Sequence, residues 1–438
     1  MSDPARLDAV LERFRRSTRG SPAFGLGPIR AALSGLGDPQ DHIGPAIHIT
    51  GTNGKGSTAA FLRAMAEAAG MTVHAFTSPH LMRVNERIRV AGRLVEDEPL
   101  SDALERIATL EKNLTYFEAL TAAAYVLFAE TPASLSIIEV GAGGSTDATN
   151  VMSRPTATVV TPISRDHEAM FGVTGIAAIA RLKAGIFRPG SPAILAEQPP
   201  LALGVLLEEA RKAGAPVLSA GRQWSAGWDG DAFVFSGSRL KVRSPWLSLP
   251  GRHQASNAGA ACAAAEAWGE PRLTAEIMAA GLRAASWPAR LQKLRLGPLT
   301  SDYRGAIWID AAHNPGGARA LAAAIMAERP KLGGVRVALI VAMQASKDHH
   351  AMLAELASVI DEVIACPLPD SGGQEGGPGA EPELVAASAN ALGAPSRTAV
   401  DFRHALELAR EAGAHRIFVC GSIYLCGAVL AANGEQVD

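Results

Sequence analysis

A glycine-rich stretch between a short apolar strand and a helix is the part of the chain best suited to chemistry. It reads HITGTNGKGST over His48–Thr58, with three glycines around Lys55. Such small residues allow successive backbone N–H groups to face one anion, and the helix N-terminus adds about half a positive charge. Lys55 would neutralise phosphate oxygens, while Ser57 or Thr58 would hydrogen-bond phosphate or face a metal ion. Because Gly56 separates the lysine from the serine, the spacing departs from GxxxxGK[ST], and a glycine-rich turn that merely contains a lysine is the alternative.

Acidic and imidazole side chains follow two later apolar strands. Glu139 ends the strand SLSIIEV, and Asp166–His167 come shortly after a strand that ends at Pro162. Ligands of parallel sheets gather at the carboxyl ends of the strands, so these residues are expected near the phosphate loop. Mg²⁺ prefers oxygen ligands, which suits Glu139 better than His167. The alternatives are an ion pair with a core arginine for Glu139 and a surface or supporting position for His167.

Repeated strand–turn–helix units must position these residues. Buried apolar strands such as Ala46–Thr50, separated by helices, predict parallel pairing covered on both faces. The segment Asp231–Arg243 instead alternates apolar and polar residues around a Ser-Gly-Ser turn, which predicts a β-hairpin. A second strand–helix alternation starts at Ala306–Asp310. We therefore predict an α/β protein of two domains: a P-loop-type domain at 1–297, with a mainly parallel sheet, flanking helices and a small antiparallel β region, and a Rossmann-like α/β domain at 298–438.

Composition excludes several classes of protein. The 438 residues carry 41 Lys and Arg against 43 Asp and Glu, a net charge of −2, which leaves no electrostatic footprint for nucleic-acid binding. No run approaches the ~18 apolar residues of a membrane helix, and no apolar segment follows the basic residues of the N-terminus. The four cysteines form no CxxC pair and are expected to be reduced and buried. We expect a cytoplasmic monomer with no nucleic-acid or membrane partner.

Nine motifs occur in one order along the chain. They are GTNGKGST (Gly51–Thr58), TSPHL with ERIRV (Thr77–Val90), TYFEALT (Thr115–Thr121), EVGAGG…DATNV (Glu139–Val151), DH (Asp166–His167), KAGIF (Lys183–Phe187), HQASNA (His253–Ala258), DAAHNP (Asp310–Pro315) and GSIY (Gly421–Tyr424). This ordered set resembles the bacterial folylpolyglutamate synthase/dihydrofolate synthase family of the Mur ligase superfamily, from roughly Ile43 to Tyr424.

The resemblance implies an ATP-dependent ligase that uses Mg²⁺ and joins L-glutamate to dihydropteroate and to reduced folates. ATP would phosphorylate a substrate carboxylate, and the amine of L-glutamate would attack the acyl phosphate, releasing ADP and phosphate. A glycine cradle, a lysine and Mg²⁺ suit this reaction, because phosphoryl transfer depends on positioning and charge neutralisation. The first domain would then bind ATP and hold a pterin pocket, and the second would bind glutamate.

Family roles carry over to matching positions of this sequence. The triphosphate would bind to Gly51, Thr52, Asn53, Gly54, Lys55, Gly56, Ser57 and Thr58. The magnesium ligands would be Ser78, Glu139 and His167. The remaining ATP contacts would be Asn257 at the adenine, Arg290 at the γ-phosphate, and Asp310 with His313 near ribose and phosphate.

Substrate positions carry over in the same way. The pterin pocket would be lined by Thr115, Phe117, Asp147 and Ala148, and the incoming glutamate would meet Ser422 and Tyr424. Lys183 matches a lysine that is carbamylated in the family, which would turn a cation into an anion able to support the metal ion; a plain helix lysine near a C-cap is the alternative. The resemblance thus implies five catalytic residues: Lys55, His167, Lys183, Arg290 and His313.

Three positions depart from the family pattern. Ser145 stands where an arginine is usual, Leu182 replaces a glutamate, and Arg165 replaces an apolar residue. The first two changes are either a compensated swap or a drift in specificity. Two other functions therefore stay open: a related superfamily ligase that acts on another carboxylate, and a degenerate ATP-binding paralogue that no longer ligates. We favour retained ligase chemistry, because the phosphate loop and the three metal positions are intact.

Overall fold

A computed structural model describes residues 4–17, 25–110, 113–166, 168–328, 334–369 and 377–437. The chain divides into two compact units. The first comprises Met1–Ile163, His167–Ser248 and Gln254–Ser286, and the second comprises Ser164–Asp166, Leu249–His253 and Trp287–Asp438. The long segment of the second unit thus starts at Trp287, ahead of the boundary predicted near residue 297.

The main sheet of the first unit has eight strands within the described residues, in the order β4-β3-β2-β5-β1-β6-β7-β8. Their bounds are β1 Ala46–Thr50, β2 Val73–Phe76, β3 Ile88–Val90, β4 Arg93–Leu94, β5 Leu135–Glu139, β6 Ala157–Val160, β7 Ala193–Leu195 and β8 Val217–Ser219. β3 pairs antiparallel with both β2 and β4, and the remaining pairings are parallel. β1 lies centrally, with Ile49 opposite Glu139 on β5 and Thr50 opposite Val160 on β6. The carboxyl ends of these three strands therefore meet.

Helices and turns complete this unit. Their bounds are α1 Pro4–Ser17, α2 Gly27–Gly35, α3 Lys55–Ala68, α4 Asp97–Ala108, α5 Tyr116–Glu130, α6 Glu168–Phe171, α7 Ile176–Ala184, α8 Pro200–Ala213, α9 Gln254–Trp268 and α10 Ala275–Ala284, with 3₁₀ turns at Pro39–Asp41 and Val84–Arg87. One apolar core joins α1, α2, α4 and α5, and another joins α7 and α8 to β6 and β7. α3 packs closely on α10, because a Cβ on Gly281 would lie 2.4 Å from Met65 Cα.

A small antiparallel sheet also belongs to the first unit. Its strands are β9 Ser225–Asp229, β10 Ala232–Ser236 and β11 Lys241–Ser244, in the order β11-β10-β9. The pairing of β10 with β11 confirms the predicted hairpin. β9 was not predicted, since its sequence SAGWD shows little alternation of apolar and polar residues.

The second unit is built on a sheet of six strands among its described residues, in the order β12-β13-β17-β14-β15-β16. The strands are β12 Gln292–Lys293, β13 Ala306–Ile309, β14 Val337–Val341, β15 Glu362–Ala365, β16 Ser396–Thr398 and β17 Arg416–Cys420. The helices are α11 Pro315–Glu328, α12 His349–Leu356, α13 Pro382–Ala391, α14 Phe402–Glu411 and α15 Ile423–Ala432. β12 pairs antiparallel and the other strands pair in parallel, which confirms the predicted fold class. In the part of the chain that the structure describes, no helix has the length and apolar composition of a membrane span.

Candidate active site

The glycine-rich loop connects β1 directly to α3. The helix begins at Lys55, and Thr58 donates its N–H to the Gly54 carbonyl at 2.9 Å. Gly54 precedes the helix with a φ of 88°, in the left-handed region that favours glycine. The backbone N–H groups of the first turn and the positive end of the helix thus follow the loop immediately, as an anion site requires.

Two loop glycines are required by what lies opposite them. A Cβ on Gly51 would lie 1.8 Å from Thr161 Oγ1, and one on Gly54 would lie 2.1 Å from Asn257 Oδ1. Asn257 is itself held in place, because it is buried and donates its amide Nδ2 to Gln254 Oε1 at 2.8 Å. The start of α9 therefore packs against the phosphate loop with Asn257 beside Gly54, and the role of Asn257 at the adenine stays a prediction.

The predicted cation and carboxylate come together at the carboxyl edge of the sheet. Lys55 Nζ lies 4.0 Å from Glu139 Oε1 and donates to the Thr52 carbonyl at 3.3 Å. Ser78 donates its backbone N–H to Glu139 Oε2 at 3.2 Å. Two of the three predicted metal ligands, Ser78 and Glu139, are therefore in contact with each other, and Glu139 also lies beside the phosphate-loop lysine.

The polar groups of this edge fit a hard divalent cation bound with phosphate. Ser57 Oγ is buried and has no hydrogen-bond partner among the described residues, as expected of a hydroxyl meant for a ligand. A serine hydroxyl, the Glu139 carboxylate and phosphate oxygens are ligands that Mg²⁺ prefers. Within the described ranges no three His, Cys, Asp or Glu side chains gather at a metal site, and the third predicted ligand, His167, lies outside those ranges.

Lys183 reaches the phosphate loop from α7. Its side chain is buried, and Nζ donates to the Gly51 carbonyl at 2.7 Å. The loop after β5 also packs on the end of this helix, where only a glycine fits: a Cβ on Gly144 would lie 2.7 Å from the Leu182 carbonyl oxygen. Lys183 is therefore placed beside the loop, and its carbamylation stays a prediction.

Two of the three departures from the family pattern are neighbours. Ser145 donates its N–H to the Leu182 carbonyl at 2.9 Å. A Cβ on Gly185 would lie 2.4 Å from Ser145 Cβ, so the small serine packs directly on the end of α7. The proximity of residues 145 and 182 favours a compensated swap over two unrelated losses.

The predicted pterin-pocket residues comprise one half-buried aromatic ring and several anchored groups. Phe117 packs against Phe76 at a centroid distance of 5.7 Å, and its Cζ lies 2.5 Å from the position of a Cβ on Gly141. Thr115 caps α5 by accepting the Glu118 N–H at 3.2 Å. Only a glycine at position 141 leaves the Phe117 ring in this position.

Asp147 organises the loop that carries it. It accepts the N–H groups of Ala142 at 2.9 Å and Thr149 at 3.0 Å, and burial raises the pKa of its carboxyl. The next residue, Ala148, is buried in the adjoining core.

His48 Nε2 lies 2.9 Å from Thr149 Oγ1, and burial lowers the pKa of His48 to about 3, so this imidazole is neutral at pH 7. The motifs had not singled out His48, whose only signal is a polar residue inside an apolar strand.

In the second unit, Asp310 and Arg290 lie in adjoining segments. Asp310 follows β13, and its two carboxylate oxygens accept the N–H groups of Ala312 at 2.9 Å and Leu291 at 2.8 Å. Arg290 folds its guanidinium back onto the Ala289 carbonyl at 2.9 Å. The hydrogen bond from Leu291 to Asp310 therefore fixes the backbone next to Arg290.

A cluster centred on Asp166 belongs to the same unit. Lys347 Nζ lies 2.6 Å from Asp166 Oδ1, while His313 Nε2 and Asn314 Nδ2 lie 3.3 Å and 3.1 Å from Oδ2. The side chains of Asp166 and Lys347 are 6% and 12% exposed. The motifs identified His313 and the DH pair but not Lys347, although a lone lysine in SKDHH after an apolar strand was a visible signal.

The predicted glutamate contacts lie at the start of α15. Ser422 precedes the helix, and its Oγ accepts the Tyr424 N–H at 3.1 Å. Both residues are buried. Ser422 thus serves as an N-cap for α15 in addition to its proposed role.

Comparison with known proteins identifies the family. One family model, the Mur ligase middle domain, matches residues 49–265, and another, the dihydrofolate synthetase C-terminal domain, matches residues 292–432. The folylpolyglutamate synthase of Lacticaseibacillus casei is 34% identical over 420 residues, which cover 92% of this chain and 92% of that protein. The chain belongs to the folylpolyglutamate synthase/dihydrofolate synthase family. The predicted resemblance is confirmed, and with it membership of a family of ATP-dependent ligases.

Solved structures of this synthase family share the whole fold. Escherichia coli FolC in complex with DHPP and ADP superimposes with a TM-score of 0.86 at 28% identity, covering 97% of both chains. A bifunctional folylpolyglutamate synthase/dihydrofolate synthase with Mn, AMPPNP and L-glutamate bound gives a TM-score of 0.84 at 28% identity, also over 97% of both chains. The similarity therefore extends over both units of this chain.

Proposed function

We propose that this chain is an ATP-dependent ligase that joins L-glutamate to dihydropteroate and to reduced folates through an acyl phosphate. The observation that carries the proposal is the buried Ser57 hydroxyl, which has no partner among the described residues, in a phosphate loop whose Lys55 lies 4.0 Å from Glu139. The family members whose structures contain ADP with DHPP, or AMPPNP with Mn and L-glutamate, support the same nucleotide, metal and amino-acid substrate here.

In the first step, the substrate carboxylate attacks the γ-phosphorus of ATP, the bond from that phosphorus to the β–γ bridging oxygen breaks, and ADP leaves, which gives the acyl phosphate. The N–H groups that open α3, together with Lys55, hold the β- and γ-phosphates in line, and Arg290 stabilises charge on the transferring group. Mg²⁺, held by Ser78, Glu139 and His167, would neutralise the phosphate oxygens. Lys183, which bonds the Gly51 carbonyl, keeps the loop in shape or, once carbamylated, supports the metal ion.

In the second step, the glutamate amine attacks the acyl carbonyl and phosphate leaves from the tetrahedral intermediate. Phe117 offers an aromatic face on which a pterin ring can stack, in the pocket assigned to residues 1–297. Ser422 and Tyr424, in the region 298–438, are the proposed glutamate contacts, and His313 is the proposed phosphate contact held near Asp166.

The decisive assay measures ADP release with ATP, Mg²⁺, a pteroate-type acid and L-glutamate, and with each acceptor omitted. We expect ADP release only in the complete mixture, and none from Lys55→Ala. The control is Lys241→Ala, which removes an exposed lysine of β11 and should leave the rate unchanged.

Other outcomes would identify the two alternative functions. ATP turnover that is indifferent to both acceptors would refute the proposed reaction. Amide formation only with a different carboxylic acid would indicate another Mur-type ligase. Tight nucleotide binding with no amide from any acceptor would indicate a paralogue that has lost catalysis.

A further inference from the structure

Arg290 lies between two residues with an unusual backbone conformation. Ala289 and Leu291 have φ values of 54° and 45°, in the left-handed region that residues with a Cβ rarely adopt. Ala289 is fully buried, so the turn cannot relax freely into solvent. Backbone strain of this kind persists only where surrounding contacts enforce it, and it is frequent at functional sites.

The contacts that enforce this turn come from two side chains. Ala289 donates its N–H to Gln292 Oε1 at 2.9 Å, and Leu291 donates its N–H to Asp310 Oδ2 at 2.8 Å. The Ala289 carbonyl in turn accepts the Ala311 N–H at 3.0 Å. The backbone is therefore fastened on both sides of Arg290.

Gln292 is itself held by a residue near the C-terminus. Its Nε2 donates to Glu435 Oε2 at 3.1 Å. The other oxygen, Glu435 Oε1, accepts the Arg295 N–H at 2.9 Å and the Asn433 Nδ2 at 2.8 Å. Both ends of the Gln292 amide thus have fixed partners, and its oxygen is directed to Ala289.

We infer that Gln292, oriented by Glu435, is a positioning residue for Arg290. The inference rests on the proposed function, in which Arg290 binds the γ-phosphate. An arginine stabilises developing charge best when its backbone is already fixed before the nucleotide arrives. Without the Gln292 oxygen, the Ala289 N–H loses its partner and the turn relaxes away from the left-handed conformation, which moves the arginine.

Nucleotide affinities test this role separately from ligase activity. In the full-length protein with Mg²⁺, we expect Gln292→Ala to weaken AMPPNP binding about threefold to tenfold, the effect of losing one hydrogen bond. ADP binding should not change, because ADP has no γ-phosphate. In an Arg290→Ala background, Gln292→Ala should cause no further loss, since the two residues then act through one interaction.

Variants at Glu435 and a remote glutamine complete the test. Glu435→Ala should also weaken AMPPNP binding. Glu435→Gln, which keeps an acceptor for Gln292, should bind AMPPNP nearly as tightly as the unmodified protein. Gln223→Ala is the matched control, because Gln223 Oε1 also accepts a backbone N–H, from Ser219 at 2.9 Å, far from Arg290 in sequence.

Three results would overturn the inference. The first is equal weakening of AMPPNP and ADP binding by Gln292→Ala, and the second is an undiminished effect of Gln292→Ala in the Arg290→Ala background. The absence of any weakening in both Gln292→Ala and Glu435→Ala would overturn it as well. Because these are binding measurements, a protein that failed to ligate glutamate would refute the proposed function, while its nucleotide affinities would still show whether Gln292 positions Arg290.

Discussion

Two glycines at opposite ends of α3 offer a matched test of the phosphate loop. Gly54 precedes the helix with a φ of 88°, and Gly70 follows it with a φ of 72°. Alanine at either position must adopt the left-handed conformation, which costs about 1–2 kcal/mol. We predict that Gly54→Ala weakens ATP binding as well as stability, whereas Gly70→Ala lowers only the free energy of unfolding.

The difference arises from what each new methyl group would meet. A Cβ on Gly70 finds no heavy atom within 4 Å, but one on Gly54 lies 2.1 Å from Asn257 Oδ1 and 2.9 Å from its Cγ. The buried Asn257 amide can turn away only by breaking its bond to Gln254, at a cost of about 1–3 kcal/mol. Because ATP binds only the native conformation of the loop, this free energy is subtracted from the binding free energy. The affinity for ATP therefore falls roughly fivefold to 150-fold.

The assay pairs titration of ATP in the presence of Mg²⁺ with urea unfolding of both variants. We expect Gly70→Ala to bind ATP like the unmodified protein while losing about 1–2 kcal/mol of unfolding free energy. Gly54→Ala should lose more unfolding free energy and bind ATP weakly. Equal ATP affinities for the two variants would show that the contact with Asn257 does not constrain the loop, and the reasoning would be wrong.

Three further predictions concern other groups of the first unit. Ser57→Ala removes a hydroxyl with no partner among the described residues, so urea unfolding should change by less than about 1 kcal/mol while calorimetric titration shows weaker ATP binding. Gly141→Ala places a Cβ 2.5 Å from Phe117 Cζ, so steady-state assays should show a higher KM for the pterin acid and an unchanged KM for ATP. The neutral His48 has a pKa of about 3 against an ordinary 6.5, so the unfolded chain takes up the proton first. Stability is therefore lost as pH falls from 6.5 toward 3, at up to about 1.4 kcal/mol per pH unit, and urea unfolding of His48→Gln should show a shallower loss.

The sequence predicted the features that depend on local pattern and on general rules of parallel sheets. The loop after β1 was visible because glycines, a lysine and three hydroxyl residues lie within eight positions, Gly51–Thr58. The meeting of Lys55 with Glu139 followed from the rule that parallel strands end at one edge. The register that places Ile49 opposite Glu139 agrees with that expectation.

Contacts between distant segments could not be predicted in the same way. Lys347 follows Asp166 by 181 positions, and no sequence pattern in either segment indicates that the two side chains are in contact. The hydrogen bond from the Leu291 N–H to Asp310 could not be predicted from the sequence either, because it joins a strained turn to the end of β13. Short strands with weak alternation, such as β9 and β12, form only because a neighbouring strand is present.

A family motif also does not distinguish a ligand contact from the scaffold that holds it. Thr115, Asp147 and Asp310 all match substrate-contact positions, yet the structure shows each of them accepting backbone N–H groups. Replacing one of them therefore removes structural hydrogen bonds along with any contact to substrate. A loss of activity at these positions is evidence of a binding role only when the unfolding free energy is measured as well. Ser57 is the clearer probe, because its hydroxyl bonds to no described residue.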